Sequence, residues 1–263
     1  MILSKRTRRN LLESLELDDP CYTETRRLLQ NLYRQQKGGP MDARAYLVTS
    51  AVRGEGKSTI CGLMAIVSAR IFHKRTLIVD GDLHHPTVHS LLGIPRGPGL
   101  FEVIRGRATS RDATQSTWLP LLHAMPSGYP RESIGEWYDD GAFHRLLQEL
   151  RPNYDVVFVD APPTVPAVEP ILMAEHVDAL VLVAMAGRTP LALARRTMQI
   201  LAPVTEKIAG VILNNAADGL PYFFNYRYYG YEQAKPPRVR RIDKLRPPEQ
   251  PTSKHAKNAG SGS

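Results

Sequence analysis

Cysteine is nearly absent: the 263 residues contain two, Cys21 and Cys61. That excludes a disulfide framework, and the placement of the two suits no metal site. Cys61 falls within a helical pattern and is expected to be buried. Long apolar runs are missing as well. No stretch approaches the ~20 apolar residues of a membrane span. Met1 to Arg9 carries charges without an apolar signal core behind them. The expected compartment is therefore reducing and cytoplasmic. There is no internal repeat. Acidic residues are outnumbered, 26 to 34, leaving a formal charge of +8. The excess is local: from Lys235 to the end there are eight Lys/Arg and two Asp/Glu, and the body is nearly neutral. The tail reads as a solubilising disordered segment. Contact with anionic lipid headgroups, a polyanionic polymer or nucleic acid is the alternative, and nucleic acid is not an expected partner of the chain.

Against these absences one stretch stands out. Ser50-Ala51-Val52-Arg53-Gly54-Glu55-Gly56-Lys57-Ser58-Thr59 follows the apolar run Ala45–Thr49 and opens a helical pattern ending near Ile71. Strand, glycine turn and helix are the context of a phosphate-binding loop. Gly54 and Gly56 let backbone N–H groups, with those of Glu55 and Thr59, curl around phosphate. Lys57 supplies a cation to the outer phosphates, and the Ser58 hydroxyl suits Mg²⁺. ATP and Mg²⁺ are thus the expected cofactors.

Two further runs, Thr76–Asp82 and Asp155–Pro163, are apolar without alternation, as expected of strands buried on both faces of a parallel sheet. They deliver Asp80, Asp82 and Asp160 at strand C-terminal ends, where open α/β sheets bind ligands. A nucleoside triphosphate site needs such carboxylates for Mg²⁺, directly or through water. A lone Asp after a strand is usually a turn former or cap. Three of them beside a phosphate loop are not so easily dismissed.

The expected fold class is α/β, a mainly parallel sheet flanked by helices. Further strands are predicted at Leu119–Met125, Ala179–Met185 and Ala209–Asn214, and helices over Asp18–Gln36, Gly141–Arg151 and Pro190–Leu201. Thr189 is the expected N-cap of the last, with Pro190 at its first position. The organisation follows: residues 1–40 a basic segment and helix, 41–216 the phosphate-loop domain, 217–231 a tyrosine cluster, and 232–263 a disordered basic tail. His84, His85 and His89 lie close together, and His85 and His89 are placed to share a helix face. A metal site there lacks a third well-spaced ligand.

The cluster reads Tyr222-Phe223-Phe224-Asn225-Tyr226-Arg227-Tyr228-Tyr229-Gly230-Tyr231, five of the chain's 11 tyrosines in ten residues. An aromatic edge strand or interaction patch is the bland reading. A mobile segment crowded with phenols beside a nucleotide site suggests phosphate acceptors.

Phosphate loop, Asp-x-Asp strand, Asp-x-Pro-Pro strand and terminal tyrosine cluster, in that order, resemble the bacterial tyrosine kinases. These are autokinases that regulate capsule and exopolysaccharide synthesis. The resemblance runs from about residue 20 to 231 and includes Gly99–Ile104 and Gly210–Asn214. It implies that Lys57 binds the outer phosphates of ATP, Ser58 ligates Mg²⁺ and Thr59 supports the loop. Asp80 orients or deprotonates the tyrosine hydroxyl, and Asp82 and Asp160 hold Mg²⁺ or its waters. Tyr222, Tyr226, Tyr228, Tyr229 and Tyr231 are the acceptors, phosphorylated in trans. Asn214 or Asn215, ending the last strand, is a candidate for adenine recognition.

The same resemblance implies a homo-oligomer, possibly a ring, a separate membrane-embedded polysaccharide co-polymerase as activator, and a cognate phosphotyrosine phosphatase. The kinase is then recruited to the inner face of the membrane by its partner. Three positions depart from the family pattern: Arg53 stands in place of Pro, His84 in place of Arg, and Glu24-x-x-Arg27-x-x-Gln30 ends a Glu-x-x-Arg-x-x-Arg motif differently. Two other readings compete. A partitioning-type phosphate-loop ATPase carries an extra lysine where Val52 stands and lacks the tyrosine cluster. A nucleotide-binding scaffold or pseudokinase of polysaccharide export fits the His84 departure. The His-Arg-Asp and Asp-Phe-Gly signatures of eukaryotic-type kinases are absent.

Overall fold

The unalternating apolar runs become neighbouring parallel strands. A computed structural model describes residues 20–34, 44–130 and 141–216. Seven strands are found there: β1 Arg44–Ser50, β2 Thr76–Asp80, β3 Gln115–Ser116, β4 Leu122–Met125, β5 Val156–Asp160, β6 Ala179–Met185 and β7 Ile208–Asn214. They form one sheet in the order β3-β4-β2-β5-β1-β6-β7. All neighbouring pairs are parallel except the short edge pair β3–β4.

The lack of alternation has a direct cause. Successive side chains of a strand point to opposite faces, and here both faces are covered. Ala45, Leu47, Leu77, Val79, Val157 and Val159 enter one core. Tyr46, Val48, Ile78, Val156 and Phe158 enter the other. Neither face meets water, so neither needs polar residues.

The helices are α1 Pro20–Arg34, α2 Lys57–Ile71, α3 Val88–Leu92, α4 Leu100–Ile104, α5 Ser110–Ala113, α6 Ala142–Leu150, α7 Glu169–Ala174 and α8 Leu191–Ile200. Helix α2 is apolar almost all round and buries Cys61 through Ala69. It lies between the sheet and α1. Helix α1 shows why: Tyr22, Thr25, Leu29 and Leu32, spaced by three and four residues, are buried, while Glu24, Arg26, Arg27 and Arg34 are exposed. Tyr33 fixes its register on α2 by donating to Ser68 Oγ at 2.9 Å and meeting Phe72 edge-on. Among the described residues no helix is long and apolar enough to cross a membrane.

Most expected elements are present with slightly different ends. The strand expected over Leu119–Met125 begins only at Leu122, because Leu119 to Leu121 form a turn held by Thr117. Two expectations need correction. Pro190, extended at φ −64° and ψ 142°, is the N-cap of α8, and Thr189 caps nothing; its hydroxyl is engaged elsewhere, as described below. His85 lies in the turn before α3 while His89 lies within it, so the two share no helix face. The tyrosine cluster and the basic tail lie outside the described residues.

Candidate nucleotide-binding and phosphotransfer site

The sheet's central strands end together. Asp80 closes β2 and Asp160 closes β5, and the two are register partners on adjacent strands. Strand β1, on the other side of β5, runs at its C-terminal end into the phosphate loop, and α2 begins at Lys57. In the loop Gly54 and Gly56 both have φ +91°. That left-handed conformation favours glycine. At Gly56 a Cβ would also collide with the Asn214 amide. The 15-residue helix α2 points its N-terminus, with its unpaired N–H groups, at the same place.

Lys57 is 7 % exposed. Its Nζ donates to Asp82 Oδ2 at 2.8 Å, to Ser58 Oγ at 3.3 Å and to Asp160 Oδ1 at 3.4 Å. Burial alone would lower its pKa, but the Asp160 and Asp82 charges overcome that and hold it above the ordinary lysine value. The ammonium is therefore permanently charged. Asp80, Asp82 and Asp160 are all buried. Burial raises the Asp80 carboxyl well above the usual range, and the neighbouring Asp160 charge adds to this. Burial also raises Asp160, with Lys57 opposing.

Three buried carboxylates against one ammonium leave the site short of positive charge. Asp80 Oδ1 and Asp160 Oδ2 are moreover buried without a hydrogen-bond partner. Orphaned buried acceptors are costly. A divalent cation would satisfy the Asp160 oxygen and would let phosphate approach the carboxylates, leaving the Asp80 oxygen for a hydroxyl donor. The residues thus fit Mg²⁺. Among the described residues no three His, Cys, Asp or Glu side chains converge as a cage of their own. Mg²⁺ does not need one, since it usually takes much of its shell from phosphate and water.

The structure brings together Gly54, Glu55, Gly56, Lys57, Ser58, Thr59, Asp80, Asp82, Asp160 and Asn214 at one end of the sheet. Individual placements add detail that spacing did not hold. Asp80 Oδ2 accepts the N–H groups of Thr87 and Val88, both at 2.9 Å, and so orders the turn into α3. Asp82 Oδ1 accepts the His85 N–H at 2.9 Å. His84 meets the buried Glu169 carboxylate, Nε2 to Oε1 2.7 Å. Arg53 Nη1 lies 3.4 Å from His85 Nε2 at the exposed rim. The sequence offers no signal for Glu169 and marks Thr189 only as a helix cap, because each meets its partner across a long stretch of chain. The five acceptor tyrosines are outside the described residues.

No family model matches the chain. Tyrosine-protein kinase YwqD of Bacillus subtilis is 30% identical over 187 residues, covering 71% of this chain and 78% of that protein. Putative tyrosine-protein kinase CapB of Staphylococcus aureus is 27% identical over 190 residues, 72% of this chain and 81% of that one. Among solved structures, the chimerical protein CapA2B2 superposes with a TM-score of 0.71 at 25% identity, over 77% of this chain and 88% of that one.

Proposed function

This chain belongs to the bacterial tyrosine-protein kinases, and we propose that it transfers the γ-phosphoryl group of ATP to its own tyrosine cluster in trans, thereby regulating capsule or exopolysaccharide synthesis or export. One observation carries the reading: a buried, permanently charged Lys57 lies between Asp82 and Asp160 at the mouth of a glycine loop. The loop N–H groups and Lys57 hold the β- and γ-phosphates. Ser58, Asp82 and Asp160 would hold Mg²⁺, which would offset charge on the phosphoryl oxygens. A phenol, with a pKa near ~10, is a weak nucleophile at neutral pH. Asp80 orients the hydroxyl or takes its proton, using the oxygen that has no partner. The phenol oxygen bonds to the γ-phosphorus, the bond to the bridging oxygen breaks, and ADP leaves.

Asn214 already touches the phosphate loop of its own chain, and a fully extended stretch from there to Tyr226 spans at most ~40 Å, so reach alone permits either route. Transfer in trans is supported by the resemblance to the autokinases. The proposed setting is a homo-oligomer at the cytoplasmic face of the membrane, activated by a membrane-embedded polysaccharide co-polymerase and reset by a phosphotyrosine phosphatase. The test mixes a Lys57→Met chain bearing the intact cluster with an active chain whose five cluster tyrosines are Phe. Phosphotyrosine should appear on the first chain with Mg-ATP, at a rate rising with protein concentration. Phosphorylation only when kinase and cluster share one polypeptide would rule out transfer in trans. Normal phosphorylation by Lys57→Met alone would overturn the site.

A further inference from the structure

The phosphate loop is gripped from outside by residues far away in the chain. Glu55, in the middle of the loop, is 2 % exposed. Its Oε2 accepts the Val52 N–H at 2.9 Å, tying the loop across its own width. Its Oε1 accepts the hydroxyl of Thr189, in the turn after β6. That hydroxyl also accepts the Met185 N–H at 2.9 Å, so its own hydrogen is left for Glu55. Asn214, the last residue of β7, donates Nδ2 to the Glu55 carbonyl at 2.9 Å, while its Oδ1 accepts the Asn215 N–H at 2.9 Å.

We propose that Thr189, Glu55 and Asn214 form a brace that positions the phosphate loop, so that the turn after β6 and the end of β7 help set ATP affinity. The inference rests on the reading of this loop as the ATP site. A loop with glycines at 54 and 56 has large conformational freedom when unpinned. Its N–H groups bind phosphate well only if they already converge, because ordering them on binding subtracts from affinity. A carboxylate in such a loop would also repel phosphate if it faced outward. Turned inward, its oxygens are taken by an N–H and a hydroxyl, and it becomes an anchor. Asn214 acts on the loop backbone in the same way, and its amide packs where a Gly56 side chain would be. Thr189, Glu55 and Asn214 are therefore positioning residues, acting on ATP through the loop.

The test titrates full-length variants with Mg²⁺ and a non-hydrolysable ATP analogue. Each variant removes one hydrogen bond to the loop, so Thr189→Val and Asn214→Ala should each weaken binding about five- to tenfold. Thr189→Ser should restore it. At saturating ATP the kcat of Thr189→Val should stay within about twofold while its KM rises, as expected of uniform binding. Thr189→Val also leaves Glu55 Oε1 and the Met185 N–H without partners, so a modest fall in the nucleotide-free melting temperature is expected, and Thr189→Ser should restore it together with the affinity. Wild-type affinity in Thr189→Val overturns the brace. So does a loss that Thr189→Ser fails to rescue and that tracks a lower nucleotide-free melting temperature, since that is a purely structural role. Lys57→Met in the same titration separates the two layers. If it loses binding and Thr189→Val does not, only the brace fails. If it binds normally, the ATP site itself is misassigned.

Discussion

Asp80 and Asp82 are two residues apart yet have different surroundings, and a conservative change should separate them. The Asp80 oxygen that is bound accepts two backbone N–H groups, and the side-chain amide carbonyl introduced by Asp80→Asn can accept the same pair. That variant should therefore keep the fold and ATP affinity but lower phosphotransfer, because the orphaned oxygen loses its basicity. Asp82 pairs with Lys57, so Asp82→Asn removes charge needed to hold the cation. Its activity should require several-fold more Mg²⁺. Activity titrated with Mg²⁺ beside ATP-analogue binding checks both, and equal loss of ATP affinity in the two variants would refute the division.

Single elements carry specific contributions. Helix α1 is joined to α2 through a narrow apolar stripe with Leu29, fully buried, at its middle. Leu29→Ala should cost about 2–5 kcal/mol through lost burial and the cavity left behind, measurable by denaturant unfolding. The exposed face of α1 contributes far less. Its Glu24–Arg27 pair, at 2.7 Å with both side chains more than half exposed, is worth about 0–1 kcal/mol, so Glu24→Gln should leave the melting temperature nearly unchanged. The amphipathic spacing of α1 is legible in the sequence. The short helices α3, α4, α5 and α7 are not, since four to six residues give too few turns for a period to show, and their ends depend on partners such as Asp80 and Glu102.

For the whole molecule, the buried carboxylates set a pH dependence opposite to the common one. Asp80 and Asp160 have folded-state pKa values raised above the unfolded carboxylate value of 3.8. Between the unfolded and folded values the folded state therefore binds more protons. Stability then falls as pH rises through that window. Without nucleotide and Mg²⁺, the wild-type chain should lose stability through these groups as pH rises above 3.8. Asp80→Asn should flatten that slope. Melting curves across pH, compared between the two chains, check it. An unchanged slope in Asp80→Asn would mean that Asp80 is not the group responsible.

The sequence by itself determined the sheet's buried strands, the phosphate loop and the strand-end carboxylates. These rest on local spacing: apolar runs without alternation, glycines before a lysine, and an Asp after each run. A local pattern can place Asp80 and Asp160 at strand ends, but only the sheet order, which puts β2 beside β5, makes them neighbours. Only the packed fold turns Glu55 inward, because its anchors Thr189 and Asn214 come from 134 and 159 residues away. It likewise gives Thr189, which the local Thr-Pro pattern marks as a helix cap, a partner in the phosphate loop. Hydrogen bonds of that range are formed by whichever groups the topology brings together once water is excluded, and no short-range residue pattern encodes them.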